Sequence, residues 1–427
     1  MEDSIYDLAI VGAGIAGLSA ARRAIDLGLR VVVLEATDQI GGRIRTITGP
    51  DGRSWDAGAH WLLQPAINPL VSEAERLGVR VLRQWRAHDR YWLDGRWLTD
   101  VESDAVWLDI DEAESLAREL SADGEDATFA ELIDPESGAL GMVETILTHQ
   151  YGESPTQISA IDRSRHGVFE GDWPVTDGFG HLVHELYSGV PVRLSAPVSV
   201  IDWGSDPIRI EAAGGLLEAR RVLVTVSTGV LRSGQLYLVP DLPIEKLTAI
   251  AQLPMAAQDK VAFRIDPATV ECETDSIHYT RSENRTVVFN VFPGGQPLVV
   301  GYASGDLCRA LEDQGVDELI DAVIDQFEIV FGEEAADTIS EPEVATWGIH
   351  PHVLGAWAYP LPGALTARAN LAAPVDNRLF FAGEATSQTA AGTVHGAWQS
   401  GRDAANLIAE SLGLKVESPL GGDNRPI

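Results

Sequence analysis

The chain has 427 residues, of which 45% are hydrophobic and 22% are charged, and this length is enough for a sizeable core and two domains. A formal net charge of −33 argues against nucleic acid or anionic membranes as partners, although the simplest role of an acidic surface is to keep the protein in solution. Residues 1–5 contain no secretory segment, and no apolar run is long enough for a membrane helix. With only two cysteines, we expect no disulfide framework, no metal site and a cytoplasmic location.

The predicted elements begin with a βαβ unit. Tyr6–Val11 is a short apolar run typical of a buried parallel strand. Leu18–Leu27 has a helical composition, and Arg30–Glu35 is a second buried strand. This order, within about 30 residues, is that of a nucleotide-binding unit.

Composition predicts the later elements as well. Helices are predicted at Val71–Leu77, Glu112–Leu120, Pro243–Ala251, Asp317–Phe331 and Gly396–Leu412. Strands are predicted at Val190–Leu194, Val198–Trp203, Ile208–Ala212, Arg221–Val226, Val261–Ile265, Arg285–Phe292, Leu298–Ala303 and Arg378–Ala382.

The turn between the first strand and helix carries three glycines with separate tasks. Gly12 permits the tight turn, Gly14 lets the backbone approach a pyrophosphate, and Gly17 lets the helix pack close to the strand. The N-terminus of the helix offers free N–H groups and the positive end of its dipole to the phosphates. Glu35, at the end of the second strand, is expected to bind ribose hydroxyls.

A second glycine pair favours FAD over NAD as the cofactor. Gly41, Gly42 and Arg43 follow Glu35 closely. Two glycines and an arginine can wrap the same pyrophosphate, and the guanidinium can hold it through two hydrogen bonds.

Four further segments, together with the βαβ unit, carry a resemblance to a known family. These segments read ATDQIGGRIRT (36–46), AGAHWL (57–62), GEATS (383–387) and GTVHGAWQSG (392–401). The chain resembles the flavin-dependent amine oxidases, a family that includes monoamine oxidases, polyamine oxidases and histone demethylases. The resemblance implies an α/β FAD-binding domain of Rossmann-like (GR2-type) topology, interleaved with an α+β substrate domain of mixed sheet and helices. On this basis residues 1–80, 178–240 and 346–414 are assigned to the FAD-binding domain, 81–177 and 241–345 to the substrate-binding domain, and 415–427 to a tail.

The resemblance also implies which residues contact FAD. At the ADP end they are Gly12, Ala13, Gly14, Ala16, Gly17, Glu35, Ala36, Gly41, Gly42 and Arg43; along the isoalloxazine, Gly58, Ala59, His60 and Trp61; beside the adenine, Val198; near the ribityl chain and pyrophosphate, Gly383 and Glu384; and at the pyrimidine edge, Thr393 and Val394.

Lys260 matches the active-site lysine of the family. The resemblance implies that it holds a water near flavin N5 and assists the reaction with oxygen. Independently, Lys260 stands at the start of a predicted buried strand, and a lysine there requires a partner or a function.

The substrate side departs from the family pattern. Where covalent monoamine oxidases have a cysteine bonded to the flavin, this chain has Ala356, so FAD should be bound non-covalently. Trp357 matches the first wall of the family's aromatic cage, whereas the second wall, usually tyrosine, is Thr393. We therefore expect a wider site and a bulkier amine, with the Thr393 hydroxyl as an added donor and acceptor.

Further residues bear on substrate choice. His60 is assigned to the substrate site as well as to FAD. Polyamine oxidases place a polar or acidic residue where this chain has Leu63, which disfavours a polyamine substrate. Glu170 and Asp172 could supply carboxylates instead, although acids in such a segment are more often solvated loop residues.

The resemblance implies oxidation of a small-molecule amine to an imine by hydride transfer to flavin N5. Hydrolysis of the imine follows, and O2 reoxidises the flavin to give hydrogen peroxide. Two alternatives stay open: another flavin enzyme of this fold, such as an amino-acid oxidase or a desaturase, and a non-catalytic flavoprotein. An amino-acid oxidase needs a basic residue at the substrate carboxylate, for which Arg281 and Arg285 are candidates. The sequence does not distinguish a monomer from a homodimer.

Overall fold

The computed structural model describes residues 5–49, 52–83, 89–164, 171–283 and 285–416. The strands are β1 (Tyr6–Val11), β2 (Val31–Leu34), β3 (Thr46–Thr48), β4 (Ser54–Asp56), β5 (Trp61–Leu63), β6 (Arg90–Leu93), β7 (Arg96–Trp97), β8 (Asp172–Pro174), β9 (Val192–Arg193), β10 (Val198–Asp202), β11 (Ile208–Ala212), β12 (Gly215–Val224), β13 (Tyr237–Val239), β14 (Gln258–Arg264), β15 (Ser276–Ser282), β16 (Arg285–Val291), β17 (Leu298–Ser304), β18 (Ser340–Ala345) and β19 (Leu379–Phe381).

The α-helices are α1 (Ile15–Asp26), α2 (Pro69–Leu77), α3 (Asp100–Asp123), α4 (Phe129–Leu132), α5 (Leu140–Tyr151), α6 (Ala160–Ser164), α7 (Phe179–Tyr187), α8 (Thr228–Ser233), α9 (Ile244–Ala251), α10 (Gly305–Gln314), α11 (Val316–Phe331), α12 (Glu333–Ala336), α13 (Ala367–Ala372) and α14 (Val394–Ser411).

An eight-stranded sheet carries the predicted nucleotide-binding unit. Its order is β13-β10-β11-β12-β1-β2-β9, and β19 pairs with the second half of β12. β1 is parallel to both β2 and β12, and all four residues of β2 are buried, as expected of a parallel sheet covered on both faces. α1 packs between β1 and α14, where the Ser19 hydroxyl donates to the Trp398 carbonyl over 2.8 Å.

A seven-stranded sheet forms the second half of the architecture, in the order β18-β14-β17-β16-β15-β6-β7. Its neighbours are antiparallel except for β15 and β6. The helices α3 to α5 share a hydrophobic core with one face of this sheet, whereas α10 and α11 pack against the other. Strand pairing also joins β5 to β8 in a small separate sheet.

Most differences from the predicted elements concern their ends. α1 begins at Ile15 rather than Leu18 because the helix starts directly after the glycine turn. α3 begins at Asp100, twelve residues before the predicted Glu112. Its start was recognisable, because Thr99 and Glu102 form a capping box in which each side chain accepts from the other's backbone N–H.

The predicted fold class is confirmed, since mixed sheets and helices form both halves. The two sheets draw their strands from interleaved parts of the chain, and the domain boundaries proposed from the sequence stay a prediction. In the described ranges, no helix is both long enough and apolar enough to cross a membrane.

Candidate functional site

A cavity of about 1260 Å³ is lined by residues of both large sheets. This volume exceeds the usual range for a single small ligand, about 300–1,000 Å³, and so has room for a cofactor and a substrate together. Nearly all residues predicted to contact FAD line it. The exceptions are Ala13 and Gly17, which do not line it. Glu170, predicted for the substrate site, lies outside the described residues.

The glycine turn at the start of α1 has the geometry of a phosphate cradle. Gly12 adopts a φ of 106°, and a Cβ on Gly17 would lie 2.0 Å from the Gly12 carbonyl oxygen, so only glycine fits there. A Cβ on Gly14 would meet no atom within 4 Å, because this position faces open space in the cavity. The Gly41 N–H donates to the Ala13 carbonyl over 2.9 Å, and this bond holds Gly41 and Gly42 against the glycine turn before α1.

Glu35 is positioned by the same turn. One carboxylate oxygen accepts from the Ala13 N–H at 2.7 Å, and the other accepts from the Thr37 N–H at 2.9 Å and the Thr37 hydroxyl at 2.8 Å. These bonds hold the buried carboxylate at the cavity wall. A ribose hydroxyl is the partner predicted for it.

Arg43 and Glu384 form an ion pair across the cavity wall. Arg43 Nη1 donates to Glu384 Oε1 and to the Ala356 carbonyl, both at 2.8 Å, and Glu384 Oε1 also accepts from the Ala358 N–H at 3.0 Å. Glu384 Oε2 is buried and has no hydrogen-bond partner in the described part of the chain. Since an unpaired buried carboxylate oxygen is costly, a cofactor hydroxyl fits this position. The residues present therefore suit FAD.

We expect Arg43→Ala to weaken FAD retention by about 10- to 100-fold, because it removes a charge-assisted contact worth about 1.5–3 kcal/mol. It also leaves Glu384 without its cation. The measurement is the FAD dissociation constant, obtained from the fluorescence of flavin released on dilution. Arg76→Ala, which removes an exposed arginine paired with Glu73, is the control and should retain FAD like the parent; equal loss in both variants would contradict the assignment.

The N-terminus of α14 borders the cavity. The Thr393 hydroxyl caps this helix, since it accepts from the Gly396 N–H at 3.0 Å and donates to the Ala390 carbonyl at 2.7 Å. The N–H groups of Val394 and His395 lie in the first turn, where no intrahelical acceptor exists. Burial lowers the pKa of His395 to about 4, so its imidazole is neutral. Capping therefore uses the hydroxyl's donor and one of its two acceptor lone pairs, and a contact between this hydroxyl and a substrate stays a prediction.

Lys260 is buried in the cavity wall. Its ammonium donates to the Asp56 carbonyl at 2.9 Å and to the Gly58 carbonyl at 2.6 Å, and it lies 5.0 Å from the centre of the Tyr302 ring. Burial lowers the pKa of Lys260 to about 8, although the nearby Asp56 charge opposes this shift. A lysine in a buried strand requires a partner, and here the partners are the backbone carbonyls of Asp56 and Gly58, in the segment just before His60.

Asp56 was not recognised from the sequence, yet it organises this corner. Its carboxylate accepts from the Phe179 N–H at 3.0 Å, from the Thr46 hydroxyl and from His60 Nδ1 at 3.3 Å. His60 Nε2 is buried without a hydrogen-bond partner in the described ranges. The only sequence signal was an acid directly before the AGAHWL segment.

Aromatic rings line the substrate half of the cavity. Trp61 stacks on Tyr302 with ring centres 6.5 Å apart, and the His149 ring lies 5.2 Å from Tyr302 and 5.7 Å from Tyr279. Trp357, predicted as a cage wall, lines the same cavity. Tyr302 was not singled out from the sequence, although it stands directly opposite Lys260 on the neighbouring strand. Pairing the predicted strands Val261–Ile265 and Leu298–Ala303 in the correct register would have placed Tyr302 beside Lys260.

Carboxylates also line this half. Asp172 was expected to be a solvated loop acid, but it begins β8, pairs with Leu63 of β5 and faces the cavity. Asp111 and Glu114 reach the cavity from α3. The strand beside Leu63 therefore brings a carboxylate to the cavity.

The two arginines considered for an amino-acid oxidase lie elsewhere. Arg281 pairs with Glu144 at 3.0 Å and Arg285 with Asp325 at 3.4 Å. Neither residue lines the cavity. This removes the support that they provided for that alternative.

The nucleotide cradle and the cavity that continues from it are typical of an enzyme with a dinucleotide cofactor. A family model described as flavin containing amine oxidoreductase matches residues 15–409. The chain is 28% identical to Protein FLOWERING LOCUS D of Arabidopsis thaliana over 97% of this chain and 57% of that protein. It is also 28% identical to probable polyamine oxidase 4 of the same organism, over 97% of this chain and 91% of that one. The chain spans little more than half the length of the first relatives, several of them named lysine-specific histone demethylases.

Two solved structures share the fold. A wild-type putrescine oxidase bound to putrescine has a TM-score of 0.80 at 21% identity, with 95% of this chain and 99% of that one covered. Cyclohexylamine oxidase from Brevibacterium oxydans IH-35A has a TM-score of 0.79 at 22% identity, with 96% and 100% covered. The chain belongs to the flavin-containing amine oxidoreductase family, and its cofactor is FAD.

Proposed function

We propose that this protein oxidises a bulky, cationic small-molecule amine, with oxygen as the electron acceptor and hydrogen peroxide as a product. One observation carries the proposal: the cavity that begins at the nucleotide cradle continues to Lys260 and into a chamber of aromatic and acidic side chains. The chemistry that FAD supplies when bound is acceptance of a hydride from the α-carbon of the amine after its ammonium has lost a proton, which leaves an iminium for hydrolysis.

The chamber suits a cation on electrostatic grounds. Asp111, Glu114 and Asp172 attract an ammonium ion to the cavity. The ring face of Trp357 then stabilises the ammonium by about 0.5–2 kcal/mol. Threonine instead of tyrosine at position 393 leaves more room beside Trp357, which favours a secondary or ring-bearing amine over a small linear one.

The test is an amine panel with two readouts. Amines graded in size are mixed with the FAD-loaded protein without oxygen, and loss of the oxidised flavin absorbance reports substrate oxidation. Peroxide is then measured in air. Bulky cyclic or secondary amines should bleach the flavin fastest and yield peroxide. Bleaching without peroxide would disprove oxygen as the acceptor, and no bleaching by any amine would favour the non-catalytic alternative.

We also expect FAD to be bound without a covalent link. Ala356 lies at the cavity wall and has no thiol, so acid or heat should release all of the flavin into solution. The measurement is flavin absorbance in the supernatant after acid precipitation. Colour that stays with the precipitated protein would contradict this prediction.

A further inference from the structure

A cluster of potential metal ligands lies behind the cavity wall. Successive residues of a strand face opposite sides, so Asp259 points away from the cavity that Lys260 faces, towards α10. There it meets Cys308 and Glu312, which are one helical turn apart. The potential ligand atoms of these three residues all lie within 4.8 Å of one another. Asp259 and Cys308 are fully buried, and Glu312 is partly exposed.

The two carboxyl groups of this cluster have no cationic partner among the described residues. Asp259 Oδ2 is buried without a hydrogen-bond partner, and within the described ranges neither Asp259 nor Glu312 forms an ion pair with lysine or arginine. Burial and the adjacent Glu312 raise the pKa of Asp259 to about 8. Two carboxylates and a thiol this close require a shared proton or a bound cation.

Backbone N–H groups orient the carboxylates of Asp259 and Glu312. Asp259 Oδ1 accepts from the Trp347 N–H at 2.7 Å, and Glu312 Oε1 accepts from the Ile349 N–H at 3.1 Å. Each carboxylate therefore keeps one oxygen without a backbone donor. Glu312 presses against Gly348, where a Cβ would lie 2.2 Å from Oε2. Hydrogen bonds of this kind orient the ligands of metal sites.

We propose that Asp259, Cys308 and Glu312 form a zinc site. Zn–O and Zn–S bonds of about 2.0–2.3 Å in a tetrahedron place ligand atoms about 3.3–3.8 Å apart, which the cluster reaches by small side-chain movements. A thiolate favours zinc over magnesium or calcium. Water can take the fourth position from the partly exposed side of Glu312. Zinc binding releases the thiol proton and the proton held by the carboxylates.

The proposed zinc site is separate from the substrate cavity, and its effect on the protein is different. A zinc ion there joins α10 and the 347–349 segment to β14, the strand that carries Lys260. Its expected effect is therefore on the stability of this part of the protein, and its detection does not depend on amine oxidation. Because a thiol must lose its proton to bind zinc, zinc affinity should increase with pH.

The experiment measures metal binding by the FAD-loaded protein. After chelator treatment and buffer exchange, the protein is equilibrated with zinc chloride, desalted and analysed for metal content. We expect one zinc per chain in the parent. Cadmium chloride should produce the ultraviolet charge-transfer absorption of a cadmium–thiolate bond. Cys272→Ser changes the only other cysteine and should behave like the parent.

Three variants test the ligands. Cys308→Ala should lose the cadmium–thiolate absorption, and Glu312→Gln should lower zinc affinity by at least about tenfold. Gly348→Ala, which displaces a carboxylate, should lower it by about 10- to 100-fold. Flavin absorbance and the melting temperature in chelator report whether each variant is folded. If Cys308→Ala is unstable, Glu312→Gln still tests the ligand assignment, because position 312 is partly exposed. Absence of retained zinc in the parent, or unchanged binding in Cys308→Ala and Glu312→Gln, would overturn the proposal and leave a proton shared by Asp259 and Glu312.

Discussion

Lys260→Met is expected to retain FAD and to be reduced by amine, yet to be reoxidised by oxygen about 100-fold more slowly than the parent. Methionine keeps the length of the side chain but loses the charge and the donors, and a positioned acid–base group typically contributes about 10²–10⁴-fold. The substitution also leaves the Asp56 and Gly58 carbonyls without their buried donor, at a cost of about 1–3 kcal/mol each. Stopped-flow mixing of the reduced protein with oxygen gives the rate, and thermal unfolding gives the stability.

The chain offers a matched control in Lys246. Its buried ammonium donates to the carbonyls of Asn370, Leu371 and Ala373, and burial lowers its pKa to about 8 as well. It does not line the cavity. Lys246→Met should therefore lose stability but keep the parent's reoxidation rate. If Lys260→Met also reoxidises at the parent's rate, the role assigned to Lys260 is wrong.

The pH dependence of reoxidation follows from the same lysine. With its pKa lowered to about 8, Lys260 is charged below that pH and loses its proton as the pH rises through it. A rate assisted by the ammonium should be constant below about pH 7 and should fall between about pH 7 and 9. The Lys260→Met profile should lack this fall, whereas Lys246→Met should keep it.

The second large effect concerns the two sides of the substrate chamber. Trp357→Ala should lower kcat/KM for every accepted amine by about 2- to 30-fold, the equivalent of a lost cation–π contact of about 0.5–2 kcal/mol. Thr393→Tyr should narrow the site, so that bulky amines lose more kcat/KM than small ones. Steady-state kinetics over a size series of amines measures both effects.

Thr393 also caps α14, so a substitution there needs a control for the loss of the cap. Thr393→Tyr removes the cap of α14 as well as narrowing the site, and loss of such a cap costs about 0.5–2 kcal/mol of stability. Thr393→Val removes the cap at nearly constant volume and should leave the size preference unchanged. Equal losses for all amines in Thr393→Tyr would mean that residue 393 does not limit the chamber, and an unchanged Trp357→Ala would mean that this tryptophan only fills the core.

The nucleotide site could be predicted from the sequence because its geometry is local. The conformations of Gly12 and Gly14, the helix that follows and the acid at Glu35 depend on about thirty adjacent residues. Arg43 was placed at the cavity for the same reason, although its partner Glu384, 341 residues away, was assigned only through the family resemblance. The Thr393 cap is also local, since threonine is typical of the position directly before a helix.

The sequence by itself indicated the cofactor, the family and the lysine that enters the cavity. Only the tertiary structure decided what surrounds that lysine, because its carbonyl partners lie 204 and 202 residues away and its aromatic neighbour Tyr302 comes from another strand. It also turned Asp172 from a supposed loop acid into a cavity residue, since the side that a strand residue faces depends on its pairing register. The cluster of Asp259, Cys308 and Glu312 could not be predicted from the sequence either. Cys308 and Glu312 are one turn apart on α10, but Asp259 comes from β14, and only the packing of this strand against the helix brings the three together.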